Sequence, residues 1–204
     1  MIVNLRGAHG SGKTYVAKQL LERWAPVLPQ YDGSGRVIGY RTSNGVYIIG
    51  KYDPERHCGG CDGFRDRDGV KAQDQVCDLI RQWAPRGDVF FEGMVAAGTF
   101  GRWFDLEKEL KAELGTRWVW AFLDTPLQKC LENIQIRNGG KPIIESHVVK
   151  KFKAVESTRK KALEAGLEVR VISHLKPVDN VMALITTIGE EAHAPDCPGH
   201  DTRG

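Results

Sequence analysis

Long apolar runs are missing from this 204-residue chain, and nothing in it nears the roughly 20 residues that a membrane-spanning helix needs. No charged and apolar leader precedes the first strand-like run, so the sequence predicts no signal peptide, no membrane partner and a cytoplasmic location. Cysteine is sparse and odd in number, at Cys58, Cys61, Cys77, Cys130 and Cys197. That excludes a disulfide framework and fits a reducing compartment. Net charge is small as well: a formal +3 neither establishes a nucleic-acid partner nor removes one. Internal repeats and low-complexity tracts are lacking too. What is left, 41% hydrophobic and 27% charged, is ordinary for a globular chain and long enough for one α/β domain with its own core.

What is present is concentrated near the N-terminus. The apolar run Ile2–Leu5 leads into Gly7-Ala8-His9-Gly10-Ser11-Gly12-Lys13-Thr14, and a helical pattern starts at Lys13. This fills every fixed position of G-x-x-x-x-G-K-[ST] between a strand and a helix. The glycines let successive N–H groups point into one concavity at a helix N-terminus, which suits an anion. Gly7, His9, Gly10, Ser11, Gly12, Lys13 and Thr14 are therefore the candidate ATP-binding residues, with Lys13 on the β/γ-phosphates and the Thr14 hydroxyl on Mg²⁺. The plain alternative is a glycine turn followed by a chance Lys-Thr pair.

Strand and helix signals alternate along the rest of the chain. Tyr15–Trp24 has helical spacing and stops at Pro26 and Pro29, and Gln30–Gly35 reads as a loop. Arg36–Tyr40 and Val46–Tyr52 form a hairpin around Ser43-Asn44-Gly45. A long polar loop spans 53–69. Helix signals follow at Val70–Trp83, Trp103–Leu114, Thr125–Arg137, Ile144–Leu163 and Pro177–Glu190, and strand signals at Asp88–Glu92, Trp118–Asp124 and Leu167–Ile172. The pattern predicts an α/β fold, a mainly parallel sheet covered on both faces, with ligands at the carboxyl ends of the strands. Residues 1–190 read as one domain and 191–204 as a loose tail.

Several other residues carry candidate chemistry. Glu92 ends an apolar strand, where P-loop enzymes hold the shell of a magnesium ion, so Thr14 and Glu92 are the candidate metal residues. Arg137, beside Asn138-Gly139-Gly140, would neutralise the transferring phosphoryl group in a lid over about 137–145, with Lys141 a weaker second cation. Cys58-Gly59-Gly60-Cys61-Asp62 is open to more than one reading. Gly59 and Gly60 permit close backbone approach by a substrate, and Asp62 offers a carboxylate for an acceptor hydroxyl. Alternatively Cys58 and Cys61 begin a zinc site, which His57, Cys77, Cys197 or His200 would have to complete. Arg102 is a candidate acceptor contact, and Trp103, Tyr52 and Phe64 are candidate stacking residues. Lys141–Lys161 is locally basic; Lys150, Lys153 and Lys160 share one helical face, which suits either nucleic-acid phosphates or simple solvation.

With these residues located, the order of Gly7–Thr14, Val89–Glu92, Phe122–Pro126 and the Arg137 turn resembles the thymidylate-kinase family, which implies a three-layer P-loop nucleoside/nucleotide-kinase-like fold. More closely, Gly50-Lys51-Tyr52, Cys58–Asp62, Val76-Cys77, Phe91-Glu92-Gly93, Phe100–Trp103 and Phe122–Pro126 are similar to the phage 5-hydroxymethyluracil DNA kinases, over about residues 2–175. That resemblance implies Mg²⁺-dependent transfer of the ATP γ-phosphate to 5-hydroxymethyluracil within DNA, a step towards hypermodified thymines that resist host nucleases. It also implies that Ser173–Pro177 borders the adenine. Asp62 would be the base or orienting group, with Glu92 as the alternative. The chain departs from free-nucleotide kinases in its lid, since Leu131–Pro142 holds only Arg137 and Lys141 as cations. A free nucleoside or nucleotide kinase and a non-catalytic nucleotide-dependent module are the rival expectations.

Overall fold

The computed structural model describes residues 1–53 and 59–191. Four runs are buried along their whole length and so belong inside a sheet: β1 (Ile2–Arg6), β4 (Tyr47–Ile49), β5 (Val89–Glu92) and β6 (Trp118–Leu123). With β2 (Leu28–Tyr31), β3 (Val37–Arg41) and β7 (Val169–Ile172) they form one seven-stranded sheet in the order β2-β3-β4-β5-β1-β6-β7. β4, β5, β1, β6 and β7 run parallel, and β3 is antiparallel to both of its neighbours.

Alternation along these strands divides the core in two. Val3, Leu5, Phe90, Val119 and Ala121 face α1 (Lys13–Arg23) and α7 (Pro177–Glu191). Ile2, Phe91, Trp118, Trp120 and Phe122 face α2 (Ala72–Trp83), α4 (Gly101–Leu114) and α6 (Glu145–Glu164). α3 (Met94–Ala97) is a single turn behind β5, and α5 (Leu127–Arg137) follows β6. The expected three layers and mainly parallel sheet are present.

Two elements differ from the sequence reading. Leu28–Tyr31, read there as a helix stop and loop, is an edge strand paired with β3. Pro29 is tolerated because an edge strand can leave one side without ladder hydrogen bonds. Met94–Ala97, read as loop, is helical for one turn, too short to show a periodicity. No helix of the described residues is long and apolar enough to cross a membrane. The expected tail after Glu191, and Cys58 with its neighbour His57, lie outside the described residues.

Candidate active site

The P-loop forms because Gly10 and Gly12 adopt φ of +77° and +98°, a region closed to most side chains. Gly10 also has no room for one: a Cβ there would lie 2.2 Å from the Cys130 carbonyl oxygen. Two side chains after β6 brace the loop, Thr125 donating to Ser11 O at 2.9 Å and Asn133 to Gly10 O at 2.8 Å. Lys13 is buried, and its Nζ donates to Gly7 O at 2.8 Å and Ala8 O at 3.0 Å. Burial pulls its pKa down, while Glu92 and Asp62 push it back up.

Opposite the loop, Glu92 ends β5, and its Oε1 accepts from Thr14 Oγ1 at 3.2 Å. Its carboxyl group titrates near 7, raised by burial and by Asp62 against the pull of Lys13 and Thr14. Among the described residues, Glu92 Oε2 and Ser11 Oγ are buried without a hydrogen-bond partner. Each is the kind of orphaned polar atom that a ligand satisfies.

The turn Gly60–Gly63, a 3₁₀ turn, brings the acceptor side in. Gly60 has φ +67°, and a Cβ on it would lie 2.3 Å from Glu92 Oε1. Asp62 then sits over α3, its Oδ2 accepting from the Met94 N–H at 2.9 Å. The close approach that Gly60 permits is therefore to Glu92 rather than to a substrate, a correction to its expected role. Gly59 does line the cleft. Cys61 is buried in the core, where burial drives its thiol pKa up, unsuited to a thiolate ligand. Among the described residues no cluster of three His, Cys, Asp or Glu can hold a metal, so the zinc reading finds no support there.

A cleft of about 770 Å³ joins these parts. It is lined by His9 to Thr14, Gly59, Asp62, Glu92 and Arg137, which are all expected site residues, by His174 and Leu175 from the loop between β7 and α7, and by Pro177 at the start of α7. Asp124 shapes that loop by accepting from the His174 backbone at 2.7 Å and contacting its Nδ1 at 2.8 Å. Tyr15, Arg65, Met94, Thr125, Lys129 and Asn133 also line the cleft and were not foreseen. Only Thr125, beside the Asp124-Thr125-Pro126 strand end, carried a local signal.

Other expectations fail on position. Arg102 opens α4 and forms an ion pair with Asp74 of α2, outside the cleft. Trp103 is fully buried against Phe91 at 5.2 Å between ring centroids, with its Nε1 bonded to Thr99 Oγ1 at 2.8 Å. Swinging it out would forfeit about 3–5 kcal/mol of packing, more than the ~1–3 kcal/mol that stacking on a base returns. Tyr52 is buried, with its hydroxyl 3.3 Å from Ile49 O, and Phe64 lines a different groove with Ile38 and Leu79. Lys141 lies in a groove beside α5 rather than in the cleft, which leaves Arg137 without it.

Beneath the site, Arg6 closes β1 with no solvent exposure. Its Nη1 donates to Thr99 O at 2.8 Å, and its guanidinium carbon lies 3.8 Å from the Trp120 ring centroid. With the Asn4 amide oxygen turned towards it, Nε and Nη2 donate there at 3.1 and 2.7 Å. Burial lowers its pKa, opposed by Glu107.

Comparison with known proteins agrees with this architecture. A crystal structure of a gluconokinase from Sinorhizobium meliloti superposes with a TM-score of 0.53 at 12% identity over 94% of each chain, a likeness of fold. A 5-hmdU DNA kinase of Pseudomonas phage M6 is 36% identical over 92% of this chain and 98% of its own. The 5-hmdU DNA kinase 1 of Salmonella phage ViI is 30% identical over 78% of this chain and 70% of its own. The family model described as 5-hmdU DNA kinase matches residues 1–174, which include every lining residue just named except Leu175 and Pro177. The chain belongs to the 5-hmdU DNA kinase family.

Proposed function

We propose that this protein transfers the γ-phosphoryl group of ATP to the hydroxymethyl oxygen of 5-hydroxymethyluracil carried in DNA. One observation carries the reading: in a member of this family, the P-loop, Glu92, Asp62 and Arg137 converge on a single cleft. The triphosphate lies along the N-terminus of α1, where Lys13 exchanges the Gly7 and Ala8 carbonyls for phosphate oxygens. His174, Leu175 and Pro177 border the nucleotide base.

The acceptor oxygen attacks the γ-phosphorus as the bond to the bridging oxygen breaks, and ADP leaves with that oxygen. The alcohol proton passes to Asp62, which the Met94 N–H holds in place. Arg137 offsets charge on the transferring group. Magnesium fits the hard oxygen donors of Thr14 and Glu92, whose Oε2 has no partner among the described residues; when bound it would neutralise phosphate charge. A base paired in duplex DNA cannot enter such a cleft, so the acceptor is flipped out or already unpaired. The product, a 5-phosphomethyl base, carries a leaving group that a later amine displaces, as hypermodification of phage thymine requires.

The test is to incubate the protein with labelled ATP, Mg²⁺ and an oligonucleotide containing 5-hydroxymethyluracil, then digest to nucleosides. Label on the 5-phosphomethyl nucleoside is expected. Label on free nucleoside monophosphates alone would support the free-nucleotide kinase instead.

A further inference from the structure

α6 has a row of residues at alternating spacings of three and four that faces the core: Val148, Lys151, Val155, Thr158 and Ala162. Four of the five are buried, at 6%, 4%, 3% and 0% exposure for Val148, Val155, Thr158 and Ala162. Lys151 alone in the row is exposed. A lysine on the inward face of a helix is exposed only where the helix overhangs open space, and the charge of Lys151 reaches His9, which lines the cleft. Burial lowers the His9 pKa most, Lys13 next, and Lys151 and Arg137 add to this against Asp62, so Lys151 stands within electrostatic reach of the P-loop.

On the facing lip, Arg65 lines the cleft just beyond the 3₁₀ turn, one Nη donating to Asp62 O at 2.7 Å and to Phe64 O at 2.8 Å. Among the described residues neither Lys151 nor Arg65 has an acid partner. Most other arginines do. Arg159 pairs with Glu156 and Lys160 with Glu164 in the far half of α6, and Arg81, Arg117 and Arg23 are paired elsewhere. The stripe of Lys150, Lys153 and Lys160 that the sequence suggested for nucleic acid lies on the side of α6 opposite the buried row, away from the cleft.

We propose that Lys151 and Arg65 form a two-sided grip on backbone phosphates of the DNA strand that presents the acceptor base. The inference rests on the DNA-kinase reading. It assigns the strand's path: across the cleft mouth between α6 and the acceptor turn, with the base directed inward past Asp62. Backbone phosphates flank a nucleotide at its rim, and cations at the rim that no acid neutralises suit them.

Binding separates the grip from catalysis. A fluorescent single-stranded oligonucleotide without modified bases is titrated in a salt series, with a non-hydrolysable ATP analogue present. Lys151→Gln and Arg65→Gln are each expected to weaken binding about 5–10-fold and to lower the slope of log K against log salt by about 0.7, as loss of one phosphate contact does on a single strand. Lys160→Gln, which removes a charge from the same helix, leaves both values at wild type. In phosphorylation assays the rise in KM is larger for the modified oligonucleotide than for free 5-hydroxymethyl-2′-deoxyuridine. Wild-type salt slopes in both variants, or an equal fall in kcat on both acceptors, would overturn the grip. Failure of the wild type to phosphorylate any DNA acceptor, with the slopes still changed, would overturn the kinase reading and leave the grip standing.

Discussion

The donor and acceptor halves of the cleft are held by different means. The P-loop is a local object, nine residues from Arg6 to Thr14, whose shape follows from its own glycines and from Lys13 bonding back to Gly7 and Ala8. The acceptor turn has internal bonds too, from Phe64 N–H to Cys61 O and from Arg65 to Asp62 O, but they do not set its place over the cleft. It is fixed by close packing with segments far away in the chain, Gly60 against Glu92 and Asp62 against Met94. The first kind of site can be read from a short motif. The second exists only when β4, β5 and α3 are already in place, so its precision depends on the whole fold.

The largest effect that tests this contrast is expected on the donor side. Lys13→Ala removes the buried lysine of the P-loop and lowers kcat by about 10³-fold, while circular dichroism shows the fold retained. A smaller loss would mean that Arg137 and the loop amides carry the phosphate without it. Asp62→Asn should lower kcat by about 10²-fold and leave ATP binding, measured by calorimetry, as in the wild type. Its side-chain oxygen still accepts from Met94, so the packing is kept and only proton acceptance is lost. Unaltered turnover would move the proton to Glu92.

Glu92 connects the two halves and offers a sign-dependent test. Its pKa in the fold is about 7, against about 4.3 for a glutamate in an unfolded chain. Between those values the folded state holds a proton that the unfolded state has lost, so stability declines as pH rises through this window. Glu92→Gln is therefore expected to abolish phosphoryl transfer yet raise Tm at pH 8 by a few degrees, which corresponds to about 1–2 kcal/mol in a chain of this size. The difference between variant and wild type should vanish near pH 4. A variant that melts below wild type at pH 8 would show that Lys13 needs the Glu92 charge more than Glu92 suffers from burial. The smallest effect belongs to Arg102→Ala. Its ion pair with Asp74 is partly exposed, so stability should change by less than about 1 kcal/mol, with kcat/KM within about twofold of wild type.

Legibility in the sequence followed the same division. The P-loop, Glu92 and the alternation of strands and helices were readable because each rests on a run of neighbouring residues with one periodicity or one motif. Arg102 and Trp103 misled because a position just after a strand says nothing about which way α4 turns once it starts. Trp103 points into the core behind Phe91, and Arg102 points to α2. Gly60 misled in another way: its lack of a side chain marks a close contact, but a sequence cannot say whether the neighbour is a ligand or a carboxylate some thirty residues ahead. Lys151 was visible only as one of several lysines. Its distinction, an inward direction without burial, is a property of where α6 ends relative to the sheet.

Arg6 has a consequence for how such a molecule can change. It is the residue before Gly7, and it holds the carbonyl of Thr99 beyond the C-terminus of α3, whose first N–H in turn holds Asp62. The phosphate loop and the acceptor carboxylate are thus moored to one guanidinium. Variation that shifts α3 disturbs both substrates together, whereas variation in the turn away from Gly60, where a Cβ would meet Glu92, reaches only one. A lineage drifting towards a different acceptor base would accumulate its changes in the turn and leave Arg6, Asn4 and Trp120 as they are.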